Sequence, residues 1–149
     1  MKKIILILLF IPTLLFSQTD KSNQFLKLGI YSSSIALNAI GDGLKDSGYK
    51  DWGHFCNAAS IGVLVTYPFI TNNDKTFKSF ATSLGSYAFL RFGMFDPIYN
   101  SVRGLPIDYI GNTSFYDKAL QKMNPQAGLN FARVVSLTVG ISLTLNYGK

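Results

Sequence analysis

Long apolar blocks separated by polar stretches pattern this chain. The blocks cover roughly residues 28–41, 55–71, 79–90 and 134–147, with a shorter one at residues 4–11. In the first block Leu26, Ile30, Leu37, Ile40 and Leu44 fall near one face at helical spacing, and Ser22 or Asn23 can cap the start. The second, "HFCNAASIGVLVTYPFI", follows Asp51, a suitable N-cap, and meets Pro68 before the turn formers "TNND". The third repeats Phe77, Phe80, Ala81, Leu84, Ala88, Phe92 and Phe95 at i, i+3, i+4, i+7 spacing, with Asp74 placed to cap it. These three blocks predict long helices. The short "TNND" link makes the second and third helices expected neighbours. At least one of Gly62 and Gly85, in mid-helix, is then expected at a point of close approach.

Between the third and last blocks the pattern breaks into smaller pieces. "DPIYNSVRG" reads as a short helix, with Asp96 at the N-cap, Pro97 at the first helical position and Gly104 at the exit. "LPIDYIGNT" reads as an irregular loop. "SFYDKALQKM" reads as a second short helix, with Ser114 and Asp117 in capping-box spacing and Asn124-Pro125 as its stop. The last block is ambiguous. From Val135 to Tyr147 apolar and small polar residues alternate strictly, as in a strand of a membrane barrel. No other segment alternates for long, and one strand closes no barrel. We therefore read residues 134–147 as helix. The expected fold is all-α: a small helical membrane bundle of about four long helices, plus two short helices between the third and fourth. The alternative is a small β-rich outer-membrane protein.

The membrane expectation comes from what the blocks lack. No Asp, Lys or Arg occurs from residue 52 to residue 73, or from 79 to 90. A helix at a water surface normally carries a charged stripe. The second block comes nearest to the length needed to cross a bilayer. Small residues such as Ser32, Ser33, Ser34 and Ala36 would let helices pack closely there. At the N-terminus, Lys2 and Lys3, an apolar run and "LLFSQ" have the layout of an export signal cut after Ser17. Residues 1–17 are thus an expected signal peptide and 18–149 a single helical domain in a membrane of the cell envelope. The 12 Phe and eight Tyr suit interfacial positions.

Composition narrows the chemistry. The formal charge of +6 is scattered, with no basic run interleaved with aromatics, so nucleic acid is not an expected partner. All eight acidic residues are Asp, a residue suited to turns and helix starts. The single Cys56 allows no internal disulfide and is expected to be buried as a small hydrophobe. No P-loop, G-x-G-x-x-G, G-x-S-x-G or H-E-x-x-H occurs.

Two stretches could carry a site. In "NAIGDGLKDSGYKDWGH", Asn38, Asp42 and Asp46 stack on one face if the first helix continues past Gly41 and Gly43, with His54 and Asn57 just beyond the turn. Asp42, Asp46 and His54 are candidate metal ligands, and Asp42 with His54 a candidate acid–base pair. A turn at Asp46-Ser47-Gly48 and a cap at Asp51 explain two of the three aspartates structurally, which leaves Asp42 over. In "RFGMFDPIYNSVRG", Asp96, Asn100 and Arg103 share a face, and Arg91 ends the helix before them. Arg91 or Arg103 would pair with Asp42 or Asp96 if buried. A phosphate-gripping Arg pair beside Asp and His would make Asp42, His54, Arg91, Asp96 and Arg103 the candidate catalytic set. The primary expectation is an exported membrane protein that binds or stabilises a lipid or another membrane protein, with no cofactor. The alternative is a membrane-embedded hydrolase or transferase acting on a phosphate-bearing lipid.

Overall fold

The computed structural model describes residues 20–70, 76–111, 115–122 and 126–146. They form helices α1 (Asp20–Asp46), α2 (Lys50–Ile70), α3 (Phe77–Val102), α4 (Phe115–Lys122) and α5 (Gln126–Leu145), and no strand occurs among the described residues. The all-α expectation therefore holds and the β-rich alternative does not. The alternating last block is helical, because Val, Leu and Ile separated by Ser, Thr and Gly satisfy a helix as readily as a strand when tertiary packing favours it. The expected signal peptide, the "TNND" turn, Asp74, Ser114 and Asn124-Pro125 lie outside the described residues.

Both well-defined helix exits follow from one glycine each. Gly48 (φ 92°) ends α1 and Gly104 (φ 69°) ends α3, in the left-handed region that other residues reach only with strain. In each case the N–H of the following residue returns to the carbonyl five positions back, Tyr49 to Leu44 at 2.8 Å and Leu105 to Asn100 at 2.9 Å. This is the Schellman closure. Thr76 caps α3, its hydroxyl accepting from the Ser79 N–H at 3.1 Å.

Three expectations about the elements need correction. "DPIYNSVRG" is not a separate helix. It continues α3, with Pro97 inside the helix, so one short helix rather than two precedes the last. Pro97 cannot donate to the Gly93 carbonyl, yet the helix runs on to Val102, with Asp96 held by Arg133 before that turn and Asn100 bonded to the Ile107 and Tyr109 carbonyls after it. α2 starts at Lys50, which puts Asp51 in its first turn instead of at the cap. And α2 and α3 share no substantial interface. α1 lies between them and packs on α2, α3 and α5, while α5 also packs on α3.

The helix faces explain why α1 is central. Along α3 the buried positions are Ser79, Ser83, Ser86, Leu90, Gly93 and Asn100, a 4-3 spacing of mostly small residues. α5 buries Leu129, Arg133, Ser136, Gly140 and Thr144 in similar register, and α2 buries Gly53 and Ser60. Small residues let backbones approach, and their hydroxyls bond across the seams. Ser34 and Ser60 join α1 to α2 at 3.1 Å. Ser86 Oγ donates to the Gly140 carbonyl at 2.9 Å and contacts the fully buried Thr144 hydroxyl, joining α3 to α5. Lys27 Nζ donates to Ser83 Oγ at 2.5 Å between α1 and α3. The close approaches fall at Gly41 against Gly53 and at Gly93 and Gly140 between α3 and α5. They do not fall at Gly62 or Gly85, where an added Cβ meets nothing within 4 Å. The apolar core proper is small: Ile30, Tyr31, Ile35 and Leu90, with Tyr87 edge-on to Tyr31 at 5.5 Å.

The large apolar residues mostly point away from this core. Phe77 (85% exposed), Phe80 and Leu84 on α3, Phe55, Ile61 and Val65 on α2, and Phe131 (72%), Val134 and Ile141 on α5 all face outward. The Phe77–Leu84 stripe, which periodicity marks as a single face, is thus the outer face of α3. Among the described residues one stretch, Gly128–Leu145 (mean hydropathy 1.4), is long and apolar enough to cross a membrane by length and composition. The second block, expected to be the best such stretch, does not reach that level, since Asn57, Thr66, Tyr67 and Pro68 dilute it.

Candidate functional site

Where α1 ends and the second half of α3 passes it, polar residues collect. Gly43 allows the approach: a Cβ there would meet Val102 side-chain atoms at 2.9 Å. Because α1 does continue through Gly41 and Gly43, Asn38, Asp42 and Asp46 share one side. A relay runs through them. Arg91 Nη1 donates to Asn38 Oδ1 at 2.6 Å. Asn38 Nδ2 donates to Asn57 Oδ1 at 3.1 Å, and Asn57 Nδ2 donates to Asp42 Oδ1 at 2.8 Å. Lys45 closes it with an ion pair to Asp42 at 3.3 Å. Two amide dipoles therefore line up between a cation and an anion, so each amide is held in one orientation.

On α3 a second array stands at four-residue spacing. The Arg91 guanidinium lies 4.2 Å from the Phe95 ring centre, Phe95 stacks on Tyr99 at 6.1 Å and 11°, and Arg103 lies 5.3 Å from the Tyr99 ring. Arg103 Nη1 also donates to the Tyr99 hydroxyl at 2.9 Å, and that hydroxyl donates to Asp46 Oδ2. The bond spans 53 residues and ties the end of α1 to α3.

Arg91 and Asp42 of the relay and the whole α3 array line an open cavity of about 820 Å³. Asp42, Asp46, Arg91, Asp96 and Arg103 all line it, with Asp117 of α4 and Tyr109 and Gly111 of the loop on the far side. His54 does not. It is exposed on α2, one residue past the inward-facing Gly53, and Asn57 is the α2 side chain that reaches Asp42. Among the described residues no three His, Cys, Asp or Glu side chains come together to hold a metal, so Asp42, Asp46 and His54 are not gathered as one donor set. Cys56 is half-buried rather than enclosed.

The expected ion pairs form differently. Asp96 pairs with Arg133 of α5 at 2.9 Å, not with Arg91 or Arg103. Arg133 is 4% exposed and also donates to the Ile107 carbonyl at 3.4 Å. Asn100 Nδ2 donates to the carbonyls of Ile107 at 3.2 Å and Tyr109 at 2.9 Å, which pins the loop as the cavity wall. Tyr99, Asp117 and Arg133 join the site without standing in either candidate stretch's constellation, whereas Asn100 shares the expected face with Asp96 and Arg103. Arg133 carries the same signal as Arg91, a lone cation beside an apolar run, whereas Tyr99 carries none that local sequence displays.

The lining offers a ligand both carboxylates and guanidiniums; among the described residues it contains no Ser, Thr, Cys, His or Lys, and its groups able to act as nucleophile or base are Asp and Tyr. No known protein family, curated protein or solved structure matches this chain.

Proposed function

We propose that this chain is an exported helical membrane protein of the cell envelope that binds lipid at the cavity between α1 and α3, without catalysing a reaction. One observation carries the reading: large apolar side chains face outward on α2, α3 and α5, while Ser, Thr and Gly line the seams. In water each outward Phe, Ile or Leu would forgo roughly 1.5–3 kcal/mol of burial. In a bilayer the same arrangement is the favourable one, with small residues and hydroxyl bonds holding the helices. The test is fractionation of the expressed full chain, with carbonate extraction and N-terminal mass spectrometry. The expected result is a carbonate-resistant protein beginning at Gln18. A chain monodisperse in buffer without detergent would overturn the membrane assignment.

The second reading is a membrane-embedded hydrolase or transferase acting on a phosphate-bearing lipid. The convergence of Arg91 and Arg103 with Asp42, Asp46 and Asp96 on one open cavity favours it. The exposure of His54 and the lack of Ser, Thr or Cys among the described lining residues weigh towards binding. Turnover of such a lipid by the purified chain, lost in Asp42→Asn, would reverse that preference.

A further inference from the structure

The outward surface of the bundle changes character at one height. On α2 from Trp52 to Ile70, on α3 from Ser79 to Leu90 and on α5 from Val134 to Leu145, no Asp, Lys or Arg occurs. Lys27, which reaches that level from α1, is turned inward to Ser83 and is 4% exposed. Charge begins at Asp42 and Arg91, which the relay through Asn38 and Asn57 sets at one level across α1, α2 and α3. Arg133, paired with Asp96, closes the uncharged band on α5. In the other direction the exposed Lys78 of α3 marks the limit, a rise of roughly 20 Å from Arg91. Snorkelling of its side chain takes up much of the difference from the roughly 30 Å of a hydrocarbon core.

Large aromatic side chains stand outward at that same height. Tyr49 (62% exposed), Trp52 (60%) and Phe55 (65%) lie at the corner where α1 passes into α2. Gly53 packs against Gly41 and Lys45, and Asn57 reaches Asp42, so Trp52 and Phe55 are level with the charge boundary. The corner is held in shape by its backbone. The Tyr49 N–H donates to the Leu44 carbonyl at 2.8 Å, and the Tyr49 carbonyl accepts from Gly53 at 3.0 Å. Trp52 and Phe55 brace each other edge-on, their ring centres 6.1 Å apart. Lys50, Asp51 and His54 are interleaved with the rings and are also exposed. An apolar protein partner would have to bury those ionic groups along with the rings, at a cost in desolvation. The headgroup layer takes amphipathic aromatics and charges side by side.

Resting on the membrane reading above, we propose that Tyr49, Trp52 and Phe55 form an interfacial surface whose partner is the headgroup–hydrocarbon boundary of the bilayer. The Tyr49 hydroxyl and the Trp52 N–H sit among the headgroups, and the rings, with Phe55, lie against the first segments of the acyl chains. Asp46 lines the cavity and stands three residues before Tyr49. Docking of the corner therefore holds the cavity beside the headgroups, and not in the hydrocarbon or in bulk water. From the corner α2 runs into the bilayer, carrying the outward Ile61 and Val65 with it.

Trp52 is the single tryptophan of the chain, so its fluorescence reports on the corner alone. The full chain is reconstituted in phosphatidylcholine vesicles, a fraction of whose lipid carries a nitroxide quencher either near the carbonyl end of the acyl chain or near its methyl end. Trp52 should lose most of its emission to the carbonyl-end label and little to the methyl-end label. A double variant, Trp52→Phe with Ile61→Trp, moves the reporter to an outward position on the same helix, 65% exposed and a rise of roughly 14 Å further along. Its quenching should follow the reverse order. Trp52 quenched by neither label, or more strongly by the methyl-end one, would overturn the interfacial surface, as would the same order of quenching in both proteins. Failure of the membrane reading would look different: a chain that carbonate releases from the vesicles, its double variant quenched by neither label while Trp52 keeps its carbonyl-end quenching.

Discussion

Gly53→Ala compared with Gly62→Ala isolates the closeness of the α1–α2 crossing as a measurable quantity. Both glycines lie on α2, and both substitutions add one methyl to a helix that gains from it, by up to about 1 kcal/mol. They differ in what the methyl meets. At Gly62 nothing lies within 4 Å. At Gly53 the new Cβ would stand 2.6 Å from the Gly41 carbonyl oxygen and 2.3 Å from Lys45 Cγ. The Lys45 side chain can swing aside, although that loosens its ion pair with Asp42 at 3.3 Å. The carbonyl is backbone and cannot, and it stands well inside the 3.4 Å where ordinary contact begins. The two helices must part, which opens the Ser34–Ser60 and Asn38–Asn57 bonds on the same seam. Overpacking of this kind costs about 1–3 kcal/mol. Because the helix-forming gain is largely shared, the stability difference between the two variants should approach that figure, with Gly62→Ala at or above the parent. Gly53 sits in the first turn of α2, where the gain is smaller, and this widens the gap. Thermal unfolding in detergent, followed by helical circular dichroism, measures it. Gly53→Ala as stable as Gly62→Ala would refute the close crossing.

The remaining predictions concern the polar groups. Asp96→Asn should destabilise the fold by about 3 kcal/mol, since it leaves the 4%-exposed Arg133 without its anion, while Asp96→Asn combined with Arg133→Met should recover much of the loss. Chemical denaturation of the single and double variants checks this, and additive losses would contradict it. Asn57→Ala should cost about 1–3 kcal/mol by stripping a partner from both Asn38 and Asp42, whereas exposed His54→Ala should stay within about 0.5 kcal/mol of the parent. Equal effects in the same unfolding assay would undo the placement of Asn57 rather than His54 in the relay.

Local pattern was enough for the courses of α1, α2 and the first part of α3, while the alternating last block reads as helix only because no other segment alternates to pair with it. Apolar spacing, the glycines at 48 and 104, and the stacking of Asn38, Asp42 and Asp46 depend on neighbours within a turn or two, and the structure keeps them. Local rules misplaced Pro97 because they weigh a missing N–H without the contacts on either side that hold α3 together. They could not say which face of a helix turns inward. Periodicity marks Phe77, Phe80 and Leu84 as one face and Ser79, Ser83 and Ser86 as another, yet the choice between them belongs to the neighbours. For the same reason the glycines that matter, 41 and 53, look no different in sequence from 62 and 85. The candidate site divides in the same way. The value of a partner to Asp42, Arg91 or Asp96 follows from the cost of burying a charge and is legible residue by residue. Which partner answers is not. Asp96 finds Arg133 across 37 residues, Tyr99 finds Asp46 across 53, and Asp42 is answered from α2 by Asn57 and not by the exposed His54, because hydrogen bonds are satisfied by proximity in the packed bundle and not by position along the chain.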